Sequence, residues 1–112
     1  MTAPASPTPH TELFNDLLRL AVESKVSDVI VKAGKPGYVR RAGKLEVVEM
    51  DPISSATAEA FVVEHVPAVF RKNWIDEGQV DFAYAAEGVG RFRVNAFHQR
   101  GQVSVVMRHI KD

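Results

Sequence analysis

The segment that most constrains the fold is residues 91–110, in which apolar and polar side chains alternate on either side of Arg100-Gly101. Alternation with a period of two is typical of a β-strand that has one buried face. A two-residue loop at Arg100-Gly101 therefore predicts an antiparallel hairpin in which Gln99 pairs with Gln102. In that register one face is mostly apolar and pairs Phe92 with His109, Val94 with Met107, and Ala96 with Val105.

The opposite face of this hairpin carries arginines. The same register places Arg93 opposite Arg108 and puts Arg91 on the same face, with Arg100 as a further cation in the turn. Like charges that face each other across an antiparallel pair are destabilising, so this pair needs an anion nearby. The two candidates are Asp81, on the strand expected next to this one, and an external anion. Guanidinium groups suit phosphate oxygens because they bind bidentately and stay charged, although arginines on a sheet surface are more often simply solvated or paired with carboxylates.

The rest of the chain predicts helices and further strands that complete an α+β domain. Helical spacing of apolar residues predicts helices over about residues 11–23, with Thr11 as N-cap, 54–66, capped by Ser54 or Ser55, and 67–77, anchored by Phe70, Trp74 and Ile75 and ended by Gly78. Strands are predicted at residues 29–31, in a hairpin over 38–48 with its turn at Ala42-Gly43, and from Val80. We expect an antiparallel sheet of about five or six strands with two or three helices on one face.

Composition limits the classes of function. The 112 residues suffice for one domain, predicted as residues 11–112 after a disordered lead-in at 1–10. The formal net charge is zero, which predicts no nucleic-acid or membrane partner from bulk charge. No apolar run approaches the roughly 18 residues of a membrane span, and the first residues do not form a secretory signal, so we expect a cytoplasmic domain.

The residue types that carry most metal chemistry are sparse. Cysteine is absent, which excludes disulfides and thiolate ligands. The histidines, His10, His65, His98 and His109, do not show metal-ligand spacing, so no metal site is predicted. No Ser–His–Asp set can be argued from spacing either.

Three segments resemble the N-terminal domain of PilT-type type IV pilus retraction ATPases, of the secretion ATPase superfamily. Residues 88–100, GVGRFRVNAFHQR, match that family's GxxRFRVNAFxQR, and residues 105–108, VVMR, match the strand ending in arginine that follows. Residues 27–34, SDVIVKAG, match its Ser-Asp-Leu-His-Leu-x-x-Gly strand, and Asp81-Phe82 matches a strand entry after a helix. The first motif is long and specific, whereas the others are weak alone.

This resemblance implies a PAS-like module joined to a RecA-like ATPase domain in a hexameric ring. In such proteins the N-terminal domain packs against the motor domain of a neighbouring subunit, and arginines of the terminal hairpin reach toward its nucleotide phosphates. By motif position Arg93 and Arg108 match those arginines, and Arg91 and Arg100 match less well. The resemblance implies ATP and Mg²⁺ for the full-length protein and none bound by this domain alone. It also implies a cytoplasmic location at the inner-membrane pilus platform, which would be an indirect partner.

The sequence also departs from the family pattern. Ile30 replaces a histidine, Pro36-Gly37 replaces a Pro-Pro pair, and Ala42-Gly43 replaces Asp-Gly. The phosphate-loop pattern G-x-x-x-x-G-K-[ST] does not occur, so we expect no catalytic residue and no enzyme activity from this chain alone, with the ATPase domain lying outside it.

Two alternatives stay open at the level of sequence. A stand-alone PAS-like module that binds a ligand or partner predicts a well-formed pocket beneath the sheet. A nucleic-acid binder would use the arginine hairpin with Phe97 as a stacking aromatic, against which the zero net charge counts.

Overall fold

The computed structural model describes residues 7–111, which form one six-stranded sheet with three α-helices. The helices are α1 (Pro9–Glu23), α2 (Ser55–His65) and α3 (Arg71–Glu77), the last preceded by a 3-10 turn at Ala68–Phe70. The strands are β1 (Asp28–Lys32), β2 (Tyr38–Arg41), β3 (Lys44–Val47), β4 (Gln79–Ala86), β5 (Gly90–Gln99) and β6 (Gln102–Ile110). None of these helices is long and apolar enough to cross a membrane.

The sheet is antiparallel throughout, in the order β3-β2-β1-β6-β5-β4. The predicted α+β class is therefore confirmed. The register of the β5–β6 hairpin is also as predicted, because Gln99 pairs with Gln102 across the Arg100-Gly101 turn. Every pairing inferred from that turn follows, including Arg93 opposite Arg108.

All three helices pack on one face of the sheet. Alternate strand residues, such as Val31, Val94 and Met107, are buried there at 0–1% exposure. Phe14 of α1 stacks on Phe61 of α2 with ring centroids 4.1 Å apart. Burying side chains of this size is the main stabilising contribution in a domain without disulfides.

Residues of α3 contribute less to the core than the sequence pattern predicted. Trp74 is buried and stacks on His98 with centroids 4.4 Å apart, but Phe70 and Ile75 are 41% and 71% exposed. The prediction that these two residues anchor the helix is wrong. Phe70 belongs to the 3-10 turn, which breaks the α-helical spacing to Trp74, and Ile75 is turned about 100° around the helix from its neighbour.

The start of α1 also differs from the prediction. Thr8, not Thr11, is the N-cap, and its Oγ accepts a hydrogen bond from the Thr11 backbone N–H at 3.3 Å. Pro9 fits the first helical turn because its missing N–H would have no helical partner there. The lead-in predicted for residues 1–10 is therefore wrong at Pro9 and His10, and residues 1–6 lie outside the described residues. Of the two residues predicted to cap α2, Ser54 and Ser55, the N-cap is Ser54, and the predicted stop at Gly78 is confirmed.

A polar cluster joins the start of α1 to the end of α2. The carboxylate of Glu64 accepts hydrogen bonds from Thr8 (3.0 Å) and Thr11 (3.1 Å) and contacts His10 Nε2 at 2.6 Å. Burial works to raise the pKa of Glu64, but the hydrogen bonds from His10 and the two threonines lower it overall. Burial lowers the pKa of His65, whose Nε2 lies 2.7 Å from the Thr11 hydroxyl.

This cluster predicts that the domain loses stability in mild acid. Both pKa values are lower in the folded chain than in the unfolded chain, so the folded state binds fewer protons. The free energy of unfolding therefore decreases as the pH is lowered, below about 6.5 because of His65 and below about 4.5 because of Glu64. We expect His65→Gln to flatten the fall in melting temperature between pH 6.5 and 5, measured by thermal unfolding. Equal slopes for His65→Gln and the parent chain would contradict this.

A second prediction concerns the β2–β3 turn, where Ala42 has φ 48° and Gly43 has φ 80°. A left-handed backbone is costly for alanine and is tolerated better by asparagine. Ala42→Asn should therefore stabilise the chain by about 0.5–1 kcal/mol, measured by chemical denaturation. Gly43→Ala should destabilise it by about 1 kcal/mol, and, because no atom lies within 4 Å of the added Cβ, only backbone strain can cause that loss. A stability loss in Ala42→Asn would refute this account of the turn.

Candidate phosphate interface on the open sheet face

The sheet face that is turned away from the helices carries a row of charged side chains across four neighbouring strands. Arg40 of β2 pairs with Asp28 of β1, Asp28 with Arg108 of β6, and Arg108 with Arg93 of β5. Residues that are paired across strands share a face of the sheet, so the four side chains form one continuous row. We call this set the arginine row.

Asp28 is the buried centre of the arginine row, with a side chain only 5% exposed. Its Oδ1 accepts a hydrogen bond from Arg108 Nε at 2.9 Å, and its Oδ2 accepts a longer one from Arg108 Nη2 at 3.4 Å. Arg40 Nε lies 3.4 Å from the same Oδ2. The hydrogen bonds and the charge of Asp28 raise the pKa of Arg108, which stays charged at any physiological pH.

The predicted like-charge pair is present, but its compensation differs from the prediction. Asp81 was one of the two predicted candidates, beside an external anion, but its carboxylate accepts a hydrogen bond from Asn95 Nδ2 at 2.9 Å. The compensating carboxylate is Asp28, which lies on the other side of Arg108 from Arg93. This happens because β6 pairs with β1 as well as with β5, a neighbour that the hairpin pattern alone does not specify.

Arg93 keeps its charge available. Among residues 7–111 no carboxylate lies within salt-bridge distance of it, and its cross-strand neighbour on the other side is Ala83. Arg108 is also accessible, with 70% of its side chain exposed despite the bond to Asp28. Three arginines against one aspartate leave the arginine row with a net positive charge. It is suited to a multiply charged anion such as a phosphate group.

The two weaker candidates occupy different places. Arg91 shares the open face and pairs with Ile110, one row beyond Arg93. Arg100 lies in the hairpin turn with φ 55°, and the strand rise puts it roughly 20 Å from Arg93. The structure therefore groups Arg93 with Arg108, places Arg91 beside them and separates Arg100 from them.

Sequence reasoning missed two members of the row, Asp28 as the partner of Arg108 and Arg40 as the third cation. One signal was available, because a polar residue opens the otherwise β-branched run of β1 and arginines end the first strand of the next hairpin. Pairing those segments with β6 required the tertiary structure.

The interior beneath the sheet is filled by side chains. Phe14, Phe61 and Phe92 are each no more than 1% exposed between the sheet and the helices. A depression of about 950 Å³ lies outside that interior, at the rim between α1, the end of α2 and β4, where Tyr84 donates a hydrogen bond to Asn15 at 2.6 Å. The pocket beneath the sheet that a stand-alone ligand-binding module predicted is not seen within residues 7–111.

Comparison with known proteins gives a consistent result. No protein-family model matches the chain. It is 36% identical over 98 residues to the type IV pilus ATPase PilU of Pseudomonas aeruginosa. The aligned segment covers 88% of this chain and 26% of PilU. It is 30% identical over 97 residues to the type IV pilus retraction ATPase PilT of the same organism. That aligned segment covers 87% of this chain and 28% of PilT.

Solved structures agree with the sequence matches. The crystal structure of the pilus retraction motor PilT with bound ADP superposes with a TM-score of 0.77 at 30% identity, over 87% of this chain and 29% of that one. The ATPase DotB of Legionella pneumophila superposes with a TM-score of 0.73 at 22% identity, over 96% of this chain and 31% of that one, which shows the shared fold alone.

The fold and these matches show that the chain is an N-terminal domain of the secretion ATPase family. Within that family its similarity is to the type IV pilus ATPases PilU and PilT. The chain spans about a quarter of the length of these two relatives, at 26% and 28%.

The row geometry predicts that its arginines differ in their effect on folding. Arg108→Ala should lower the melting temperature, because a buried charge that loses a partner is destabilising. It leaves the buried Asp28 carboxylate with Arg40 as its one remaining arginine neighbour in the row. Arg93→Ala removes a like-charge neighbour and should leave the melting temperature unchanged or slightly higher. Thermal unfolding of the two variants, with Arg91→Ala as a control on the same face, measures this order. A larger loss in Arg93→Ala than in Arg108→Ala would contradict it.

Proposed function

We propose that this chain acts as the N-terminal domain of a type IV pilus retraction ATPase, the motor of twitching motility. In this proposal the open sheet face packs against the RecA-like motor domain of a neighbouring subunit in a hexamer. Arg93 and Arg108 then contact the phosphates of the nucleotide bound there. The domain itself performs no chemistry, and ATP and Mg²⁺ are held by the motor domains of the full-length protein.

The observation that carries the proposal is the arginine row itself. It places Arg93 and Arg108 side by side on a sheet face that no helix of the described residues covers. Two adjacent guanidinium groups repel each other unless an anion binds both, so an incoming phosphate would relieve an existing electrostatic cost. Arginines that act on a neighbour's nucleotide in this way stabilise the charge that develops during phosphoryl transfer.

Similarity to known motors supports the same assignment. PilU and PilT are named as type IV pilus ATPases, and the superposed PilT crystal structure carries bound ADP. Transfer of that role to this chain places it in the cytoplasm, peripheral to the inner-membrane pilus platform. Within this proposal the platform is reached through the assembled motor, and nucleic acid has no part.

The proposal is tested by ATP turnover in the protein that joins this chain to its motor domain. Arg93→Ala and Arg108→Ala should each lower turnover by about tenfold or more, because arginines supplied across a subunit interface contribute strongly to phosphoryl transfer. The measurement is steady-state phosphate release at saturating ATP, with the oligomeric state of each variant checked by sedimentation.

Arg71→Ala is the matched control, since it removes one exposed arginine from α3 in the helix layer. It should retain full turnover. If Arg93→Ala and Arg108→Ala also retain full turnover in an intact oligomer, the assignment of these arginines to the nucleotide is wrong.

A further inference from the structure

We propose that Asp28 is a positioning residue, which holds the Arg108 guanidinium in a fixed orientation so that Arg108 and Arg93 engage one phosphate group together. This inference rests on the proposed function and names the residue that makes the arginine pair effective. Asp28 does not touch the nucleotide in this scheme. It acts only through Arg108, with Arg40 closing the other side of its carboxylate.

The first step in the argument is the contrast in burial between the two partners. The Asp28 side chain is 5% exposed, whereas the Arg108 side chain is 70% exposed. A long arginine on an open sheet face ordinarily samples many rotamers. Here Nε and Nη2 of Arg108 donate hydrogen bonds to a buried carboxylate, so the guanidinium group is exposed to solvent and also restrained.

The second step is the way in which the guanidinium is held. Asp28 takes the Nε–H of Arg108 and one N–H of Nη2, at 2.9 and 3.4 Å. Arginine has five N–H donors, so three remain for another acceptor. A carboxylate that binds this edge of the fork fixes the plane of the group without using up its capacity for a phosphate.

The third step is that the negative charge of Asp28 and its restraint of the Arg108 side chain have opposite effects on phosphate binding. As a plain negative charge, Asp28 would weaken phosphate binding, and its removal would strengthen it. As a positioning residue, Asp28 strengthens binding by reducing the entropy that Arg108 loses when it engages the phosphate, and its removal would weaken it. The direction of the change therefore decides between the two roles.

The chain offers a matched control for this comparison. Asp81 lies on the same open sheet face and also carries one negative charge, but its hydrogen bond goes to Asn95 and not to an arginine. Asp28→Asn and Asp81→Asn remove the same charge from the same face. Only the first takes the charged, two-oxygen partner away from Arg108, because an amide offers a single acceptor oxygen.

The experiment measures ATP turnover of both variants in the protein that contains the motor domain. Asp28→Asn should lower the rate at saturating ATP by about fivefold or more, while Asp81→Asn retains or slightly raises it. In the chain alone, nitrogen-15 NMR should show an Arg108 Nε–H that exchanges slowly in the parent and in Asp81→Asn. The same group should exchange clearly faster in Asp28→Asn, toward the rate of Arg91, because a neutral amide holds it less strongly.

A second variant keeps the test decisive if Asp28→Asn does not fold. Arg108→Lys retains the charge and leaves Asp28 with a cationic partner, but an ammonium group has no fork to orient. We expect its turnover to fall nearly as far as that of Arg108→Ala, with a melting temperature closer to that of the parent chain. Full turnover in a folded Arg108→Lys variant would overturn the inference.

The outcomes separate this inference from the proposed function. If Arg93→Ala and Arg108→Ala lower turnover but Asp28→Asn matches Asp81→Asn, the arginine role stands and the positioning role of Asp28 is wrong. If neither arginine variant affects turnover, both proposals fail. An Arg108 Nε–H that exchanges at the same rate in Asp28→Asn and in the parent chain also overturns the positioning role.

Discussion

The pairing of β1 with β6 is the interaction on which the rest of this structure depends. The first and last strands of the chain meet at the middle of the sheet, with Asp28 opposite Arg108. Without that pairing β1–β3 and β4–β6 would be two separate three-stranded sheets, with no continuous face on which the three helices could pack. The pairing also joins residues that are 80 positions apart in sequence, so its entropic cost of closure must be met by burial on the helix face.

The pairing of β1 with β6 also determines the charge distribution on the open sheet face. A buried carboxylate in a central strand is unfavourable unless cations surround it, and Arg40 and Arg108 approach it from the strands on either side. A third arginine, Arg93, stands next to Arg108 because of the β5–β6 register, so three positive charges face the one carboxylate. On this sheet surface Asp28 holds Arg40 and Arg108 in place, and among the described residues Arg93 keeps an uncompensated positive charge. A binding face for phosphate requires such an arrangement.

Much of this could be predicted from the chain itself. The two-residue turn at Arg100-Gly101 set the register of the last hairpin, and with it the Arg93–Arg108 pair, because a register shift by one residue would turn every buried side chain toward solvent. The helix caps at Ser54 and Gly78 could also be predicted, because a serine side chain caps the start of a helix and a glycine favours its end. The errors lay where local patterns compete: Thr8 and Thr11 are both good caps, and Phe70 matched helical spacing in a segment that the structure coils as a 3-10 turn.

The sequence by itself determined the class of the fold, the C-terminal hairpin and its arginine pair, because alternation and turn chemistry act over a few residues. Only the tertiary structure decided which carboxylate binds Arg108 of that pair. Asp81 and Asp28 are both plausible on charge alone, and the choice depends on which strand lies on the far side of β6. That neighbour is set by long-range packing of the whole sheet against its helices, and no local pattern in the chain encodes it.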